Sequence, residues 1–276
     1  MMDPIEQACF WLAGRAPRAW TELSGSEAVD VGIVGAGLTG LWTGLFLKAL
    51  EPTLTVGVVE QGLAAHGASG RNAGMLSETV DHGHGLAIEH FGLDEARVLA
   101  RLGESNVAEL TGFLRDRGIH CDYEPTGRLM VALTPGHVEE ARRTVAIARS
   151  LGVDSFTLLD ADAVRGEIHS PLYLGGVRVS GGGILDPVKL VEGLKTEAER
   201  LGVRVWERSP VQQVEAAGAG ARIRTAGGVL TARRVVLATS AYTHHLLPAV
   251  TRRFIPLNDY ILESETLTAA QHEELG

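Results

Sequence analysis

Residues 29–61 read VDVGIVGAGLTGLWTGLFLKALEPTLTVGVVEQ, and this stretch decides the fold. Val31 to Val34 form a short buried-strand pattern that runs into Gly35-Ala36-Gly37-Leu38-Thr39-Gly40. A helix-like run follows from Leu41 to Leu50, then Pro52, then a β-branched run from Thr55 to Val59 that ends in Glu60. Strand, glycine turn, helix and strand are thus followed by an acid 20 positions after the last glycine. Gly35 allows a tight turn, Gly37 lets the backbone approach a pyrophosphate, and Gly40 lets the helix pack close to its strand. Phosphates placed there meet unpaired N–H groups and the positive end of the helix dipole, worth about 0.3–1 kcal/mol per charge. Glu60, with Gln61 after it, can accept hydrogen bonds from a ribose diol and would repel a 2′-phosphate. The bland alternative is a glycine-rich structural turn, and the complete βαβ context argues against it.

Val31–Leu47 carries no charge, yet it contains five glycines and a turn signature. It also falls short of the roughly 20 apolar residues that a membrane span needs. With 276 residues the chain can hold one large or two modest domains, and 45% hydrophobic content supports a substantial core. A net charge of −9 argues against a nucleic-acid partner, and no basic run suggests an anionic membrane surface. Cys9 and Cys121 are far apart and form no CxxC, which fits a reducing compartment. Residues 1–20 lack the basic start and apolar centre of a signal peptide, so a cytoplasmic location is expected.

After the acid-tipped strand comes a dense small-residue loop, Gly62 to Met75, containing Ala68-Ser69-Gly70-Arg71-Asn72-Ala73-Gly74. Small residues let backbone N–H groups face a bound group, and Arg71 adds a fixed planar charge. GAGLTG, Glu60 and ASGRNAG together resemble the flavoprotein family of FAD-dependent, D-amino-acid-oxidase-like amine oxidoreductases, and within it the γ-glutamylputrescine oxidase-like branch. The resemblance implies FAD as cofactor. It places Ser69, Gly70, Arg71, Asn72, Gly74 and Met75 beside the pyrophosphate and the flavin ring. It also carries an adenine-reading role to Val211 and a dinucleotide-crossing role to Ala238 and Thr239. Ser240 stands where the family commonly has glycine.

Along the rest of the chain, residues 1–28 read as an N-terminal arm with Trp11 and Trp20, either packed on the surface or lining a substrate entrance. Asp81-His82-Gly83-His84 has no third ligand at useful spacing, so no metal site is expected and the segment reads as a loop entering a helix. Residues 93–118 show helical spacing through Leu99, Leu102, Val107, Leu110 and Leu114. Further helices are expected over Pro135–Leu151, Asp160–Ile168 and Val188–Leu201, the last with Asp186 and Pro187 as N-cap and first residue. Strands are expected at 127–133, 176–180, 203–206 and 210–215, with a hairpin around Gly227-Gly228 and a buried strand at 235–240. His244 and His245 default to solvent or capping roles. Arg253–Leu262 reads as extended, ahead of a helix-like end.

The expected fold is α/β: a Rossmann-like FAD-binding domain over 29–80 and 183–250, with an antiparallel-sheet substrate domain over 81–182 and 251–276. The resemblance implies that the substrate domain is incomplete, since family members continue through further strands and a last glycine-containing segment against the flavin. A fragment, a truncated product, and one part of a split enzyme completed by a partner chain all fit this. The activity implied is oxidation of the C–N bond of a small amine or amino acid. Hydride goes to flavin, the imine is hydrolysed, and O₂ reoxidises the cofactor. A neutral amine can donate hydride without an obligatory protein base, so no catalytic side chain is assigned, and His66 and His84 stay unassigned. Two rivals remain: an NAD-dependent dehydrogenase on the same βαβ, and a flavin-binding subunit without turnover of its own.

Overall fold

The computed structural model describes residues 9–13, 15, 18–80, 82–257 and 259–276. Pro4 and Pro17 of the arm, Asp81 of the histidine segment and Asn258 lie outside the described residues. In chain order the elements begin with β1 (Gly25–Val34), α1 (Leu38–Leu50), β2 (Val56–Val59), β3 (Met75–Leu76), α2 (His84–Phe91) and α3 (Leu93–Asp116). Next come β4 (Arg128–Ala132), α4 (Pro135–Ser150), β5 (Phe156–Asp160), α5 (Ala161–Arg165), β6 (Gly175–Val179) and β7 (Gly183–Ile184). The chain then forms α6 (Pro187–Arg200), β8 (Arg204–Trp206), β9 (Val211–Ala217), β10 (Gly220–Thr225) and β11 (Gly228–Leu237). Two short helices, α7 (Thr243–Leu246) and α8 (Ala269–Leu275), complete the order.

Two compact units emerge. The first gathers the chain up to Ala73 with Ile119–Cys121 and Asp186–Ile261, and the second gathers Gly74–Gly118, Asp122–Leu185 and Leu262–Gly276. In the first, a six-stranded sheet runs in the order β8-β2-β1-β11-β10-β9. Strands β8, β2, β1 and β11 pair in parallel, while β11, β10 and β9 form an antiparallel meander. The βαβ reading explains the centre of this sheet. Val56, Val58 and Val59 are buried, as a strand covered on both faces requires. Gly44 lets α1 approach Val203, its missing Cβ lying 3.6 Å from the valine methyls.

Several boundaries differ from expectation. The first helix starts at Leu38, because Gly37 is its N-cap and its carbonyl already accepts from Leu41 N at 3.0 Å. β1 reaches back to Gly25, into the stretch expected as arm, pairing from Gly25 opposite Gly228 to Val34 opposite Leu237. The expected hairpin and the expected buried strand at 235–240 are one continuous ten-residue strand, β11, entered through a turn at Gly227-Gly228. Thr225 Oγ1 fixes that turn by accepting from Gly228 N at 3.0 Å. Val235 to Leu237 are half-buried rather than buried. Arg253–Leu262 forms no strand among the described residues, and Ile255, Leu257, Tyr260 and Leu262 are each more than 80% exposed.

The second unit contains a three-stranded antiparallel sheet, β4-β6-β5, and a two-stranded pair, β3-β7. Its core joins Ala96 and Ala100 of α3 to Ala141, Val145 and Ala148 of α4 and to Phe156, Val177 and Val179 of the sheet. α3 buries Ala96, Ala100, Gly103 and Leu114, whereas Leu102 stays exposed. Small residues win this face because the neighbouring chain comes close: a Cβ at Gly103 would run into the carbonyl of Glu78. α4 is capped by Thr134, whose hydroxyl accepts from His137 N at 3.2 Å, with Pro135 in the first turn.

Candidate dinucleotide site

At the carboxyl ends of β1, β2 and β11 a cavity of about 230 Å³ opens within the first unit. This is where strand order reverses around β1, the place an open α/β sheet offers a ligand. The glycine turn forms one wall. Gly35 sits at φ +105°, and a Cβ on it would lie 2.6 Å from Ala238 O. Gly35 N donates to Val59 O and Ala238 N to Val34 O, each at 2.8 Å, so three strand ends are drawn together at this point. A Cβ on Gly37 would lie 2.7 Å from Ser69 Oγ, and one on Gly40 would run into Gly35 O. The three glycines are therefore required by close approach, at the backbone or at a hydroxyl.

Glu60 ties the turn to the following loop. One carboxylate oxygen accepts from Ala36 N at 2.8 Å and the other from Gly62 N at 2.9 Å. Ser69 Oγ accepts from Leu38 N at 3.0 Å. No side chain caps Gly37, so the first turn of α1 has backbone donors left for an anion. The small-residue loop braces itself: Asn72 Nδ2 donates to Ser69 O at 2.9 Å and to Ala68 O at 3.2 Å. Gly70 is forced, since a Cβ there would strike the carbonyl of Ala65. Arg71 Nη2 donates to Tyr242 Oη at 3.2 Å.

Of the residues expected here, Gly35, Gly37, Thr39, Glu60, Gln61, Ser69, Val211, Ala238 and Thr239 line the cavity. Ala36 and Leu38 point their N–H groups at Glu60 and Ser69, and Gly40 serves packing. Gly70, Arg71 and Asn72 shape the loop without lining the cavity, and Gly74 and Met75 belong to the second unit. Sequence reading missed Tyr242, His245 and Leu246, which line the cavity from the short helical segment after Ser240. Only their position just beyond the Ala238-Thr239 strand end hinted at this. Ser240 itself holds φ +46°, a left-handed backbone that glycine adopts without strain.

The arm also meets this loop. Trp11 Nε1 donates to Asn72 O at 2.8 Å, which joins the arm to the small-residue loop. Arg18 Nη2 donates to Ala64 O at 2.7 Å, and fully buried Glu207 accepts from Ala64 N at 2.6 Å. Lys195 Nζ completes the cluster at 2.7 Å from Glu207.

The cradle suits an adenine dinucleotide. Its glycines leave room where a Cβ would intrude, its helix start gives only Leu38 N to a side chain, and Glu60 has lone pairs for a diol. The chain belongs to the family of FAD dependent oxidoreductases, whose DAO model matches residues 30–275. FAD is the cofactor that defines this family. A gamma-glutamylputrescine oxidoreductase of Escherichia coli (strain K12) is 32% identical over 248 residues, covering 89% of this chain and 57% of that relative. A probable oxidoreductase OrdL of Rhizobium meliloti is 26% identical over 262 residues, covering 94% and 60%. The crystal structure of glycine oxidase from Geobacillus kaustophilus superposes with TM-score 0.69 at 24% identity, over 81% of this chain and 58% of that one. The chain thus spans well under two thirds of the length of the relatives it matches. Among the described residues no helix is long and apolar enough to cross a membrane.

Proposed function

We propose that the chain is the FAD-holding part of an oxidoreductase acting on the C–N bond of a small amine or amino acid. The observation that carries this is the convergence of Gly35, Gly37, Glu60, Ser69, Val211 and Thr239 on one cavity at the strand-order reversal. In this reading the first unit is the cofactor domain and the second the substrate side. Glu60 holds the ribose diol while keeping the turn and the next loop in register. The first turn of α1 and Ser69 hold the pyrophosphate, and Val211, Ala238 and Thr239 flank the nucleotide. Gly70, Arg71 and Asn72 shape the loop that leads towards the flavin ring. Bound FAD supplies a two-electron acceptor for the hydride on the carbon next to the substrate nitrogen, and the imine so formed is hydrolysed. The chain's own work is to bind, orient and exclude water.

A cytoplasmic location belongs to the same proposal, supported by a sequence with only two cysteines, Cys9 and Cys121, far apart and without a CxxC. So does a further segment or partner chain that supplies the rest of the family fold, supported by the exposed Ile255, Leu257, Tyr260 and Leu262. A second reading, flavin binding without turnover, rests on the same cavity, whose lining holds a cofactor and carries no assigned catalytic side chain. The NAD-dependent alternative gains nothing from the family match.

The test is the visible absorption spectrum of the purified chain, with and without added FAD, followed by anaerobic addition of amines and amino acids. A bound flavin that bleaches with an amine supports the first reading. Bound flavin that never bleaches supports the second, and failure to take up FAD sinks both.

A further inference from the structure

A second cavity, of about 410 Å³, lies wholly within the second unit. Its floor is the start of α2, where Gly83, His84, Gly85 and Leu86 line it, and its walls are β4 and α4. The polar groups around it have unmet hydrogen-bonding capacity. His84 is only 8% exposed, and its Nδ1 has no hydrogen-bond partner. Arg128 donates from Nη1 to Ser77 Oγ and from Nη2 to Glu78 Oε1, both at 3.2 Å, yet its Nε is buried without a partner. Glu78 is 2% exposed, and its second oxygen is likewise unmatched. A buried polar group left unpaired costs about 1–3 kcal/mol, so the two on the cavity lining, His84 Nδ1 and Arg128 Nε, argue for something they bind, while Glu78 stands behind the lining.

The chemistry of the lining favours an anion. Arg128 and Arg143 both line it, and Arg143 forms no ion pair among the described residues. Gly83, the N-cap of α2, offers no side chain to the helix start, so the first-turn N–H groups and the positive dipole end face an uncapped terminus. Thr79 and Thr144 add hydroxyl donors. Glu140 is the only lining carboxylate among the described residues, and Glu78 is already paired to Arg128. With Arg128 and Glu78 offsetting each other in charge, the balance is the Arg143 guanidinium, a helix start, a histidine and two hydroxyls against one exposed carboxylate.

We propose that this cavity is an oxyanion-binding site, distinct from the dinucleotide cradle, that takes the carboxylate or phosphate group of a small molecule. Arg143 and Arg128 hold the charge, and the α2 start and His84 supply directional hydrogen bonds. The site goes beyond the proposed oxidoreductase chemistry and does not depend on it.

Calorimetric titration of the whole chain with inorganic phosphate and with malonate, at fixed ionic strength, tests this. Saturable binding of at least one is expected. Phosphate alone would mark the natural ligand as phosphorylated, malonate alone as a carboxylic acid. Arg143→Gln, on the exposed side of α4, should weaken binding about tenfold, the loss of one charge-assisted hydrogen bond. Arg149→Gln removes the same charge from the same helix outside the cavity and should leave binding unchanged. The proposal is overturned by absence of saturable binding, by equal weakening in the two variants, or by binding that Arg143→Gln leaves intact. The last result would send the anion to another site.

Discussion

Gly40 has no room for a side chain, because a Cβ would collide with the carbonyl of Gly35. Gly40→Ala must therefore displace either the glycine turn or the start of α1. The expected cost is about 1–3 kcal/mol in chemical denaturation, together with loss of FAD uptake. A variant as stable as the parent would show that the turn can yield to a methyl group. Ser240 is the opposite case. It occupies φ +46° with a side chain, at a cost of about 1–2 kcal/mol, part of which glycine would recover. Ser240→Gly should leave the chain unchanged or more stable, and a measured loss of stability would contradict the strain. His84 sets a pH dependence. Burial holds its pKa below the ordinary 6.5, with Arg128 adding to the depression and Glu78 opposing it. Below about pH 6.5 the unfolded chain takes up a proton that folded His84 resists, so stability falls as pH falls. The fall ends once the folded pKa is passed. Denaturation curves at neutral and mildly acidic pH should therefore diverge less in His84→Gln than in the parent.

At the scale of elements, the arm and α6 are held by charge where the sheet leaves off. Glu207, at the end of β8, is 1% exposed in its side chain and is met by Lys195 of α6 at 2.7 Å and by Arg18 of the arm at 3.4 Å. Arg18 also reaches Glu192 at 2.7 Å, and Arg15 reaches Asp186 at 2.5 Å. Lys195→Met leaves a buried carboxylate short of its nearest cation, at a cost of about 3–5 kcal/mol. Lys195→Met with Glu207→Leu should recover much of that, as apolar replacements of buried pairs do. If the double variant is no more stable than the single one, the pair contributes something other than charge balance. The elements also show what sequence could reveal. The βαβ unit was legible because Val31–Val34 and Val56–Val59 are buried on both faces and glycine punctuates them. The first half of β1 was not, because Ser26, Glu27 and Ala28 pair through backbone while their side chains stay largely in solvent. α3 was legible as a helix from its leucine spacing, but its packed face joins Leu114 and half-buried Leu99 to Ala96, Ala100 and Gly103, where shape outranks hydrophobic size, and leaves Leu102 in solvent. In the cavity, Tyr242 was not singled out and His245 was given a solvent or capping role, because the short helical turns over 240–246 carry too little periodicity to orient their side chains.

For the whole molecule, the division into two compact units makes the cofactor assignment testable without any turnover. A ligand bound only to the folded state at a hundred times its Kd adds about 2.7 kcal/mol of stability, and the local protection should map to the loops that touch it. Hydrogen exchange on the chain, with and without excess FAD, should slow at the glycine turn around 35–40, at 60–70, and at 238–246. These are the segments that meet at the dinucleotide cavity. The helices bordering the second cavity, α2 and α4, should exchange at the same rates under both conditions. The result separates two ideas that an activity assay would merge. Protection of the first set alone places FAD in the cradle, whether or not the chain turns over an amine. Protection of α2 and α4 in place of that set would move the nucleotide to the oxyanion cavity and remove the ground for calling the two sites distinct. Glu60 gives the sharpest single readout. Its carboxylate accepts from Ala36 N and Gly62 N, and an amide can accept through only one of its two polar atoms. Glu60→Gln should therefore keep one of the two bonds and lose the other before any ligand arrives. The expected signs are faster exchange at 36 or at 62 and a stability loss of about 1–3 kcal/mol. Unchanged exchange at those two amides would mean that Glu60 serves the ligand alone and not the architecture of its site.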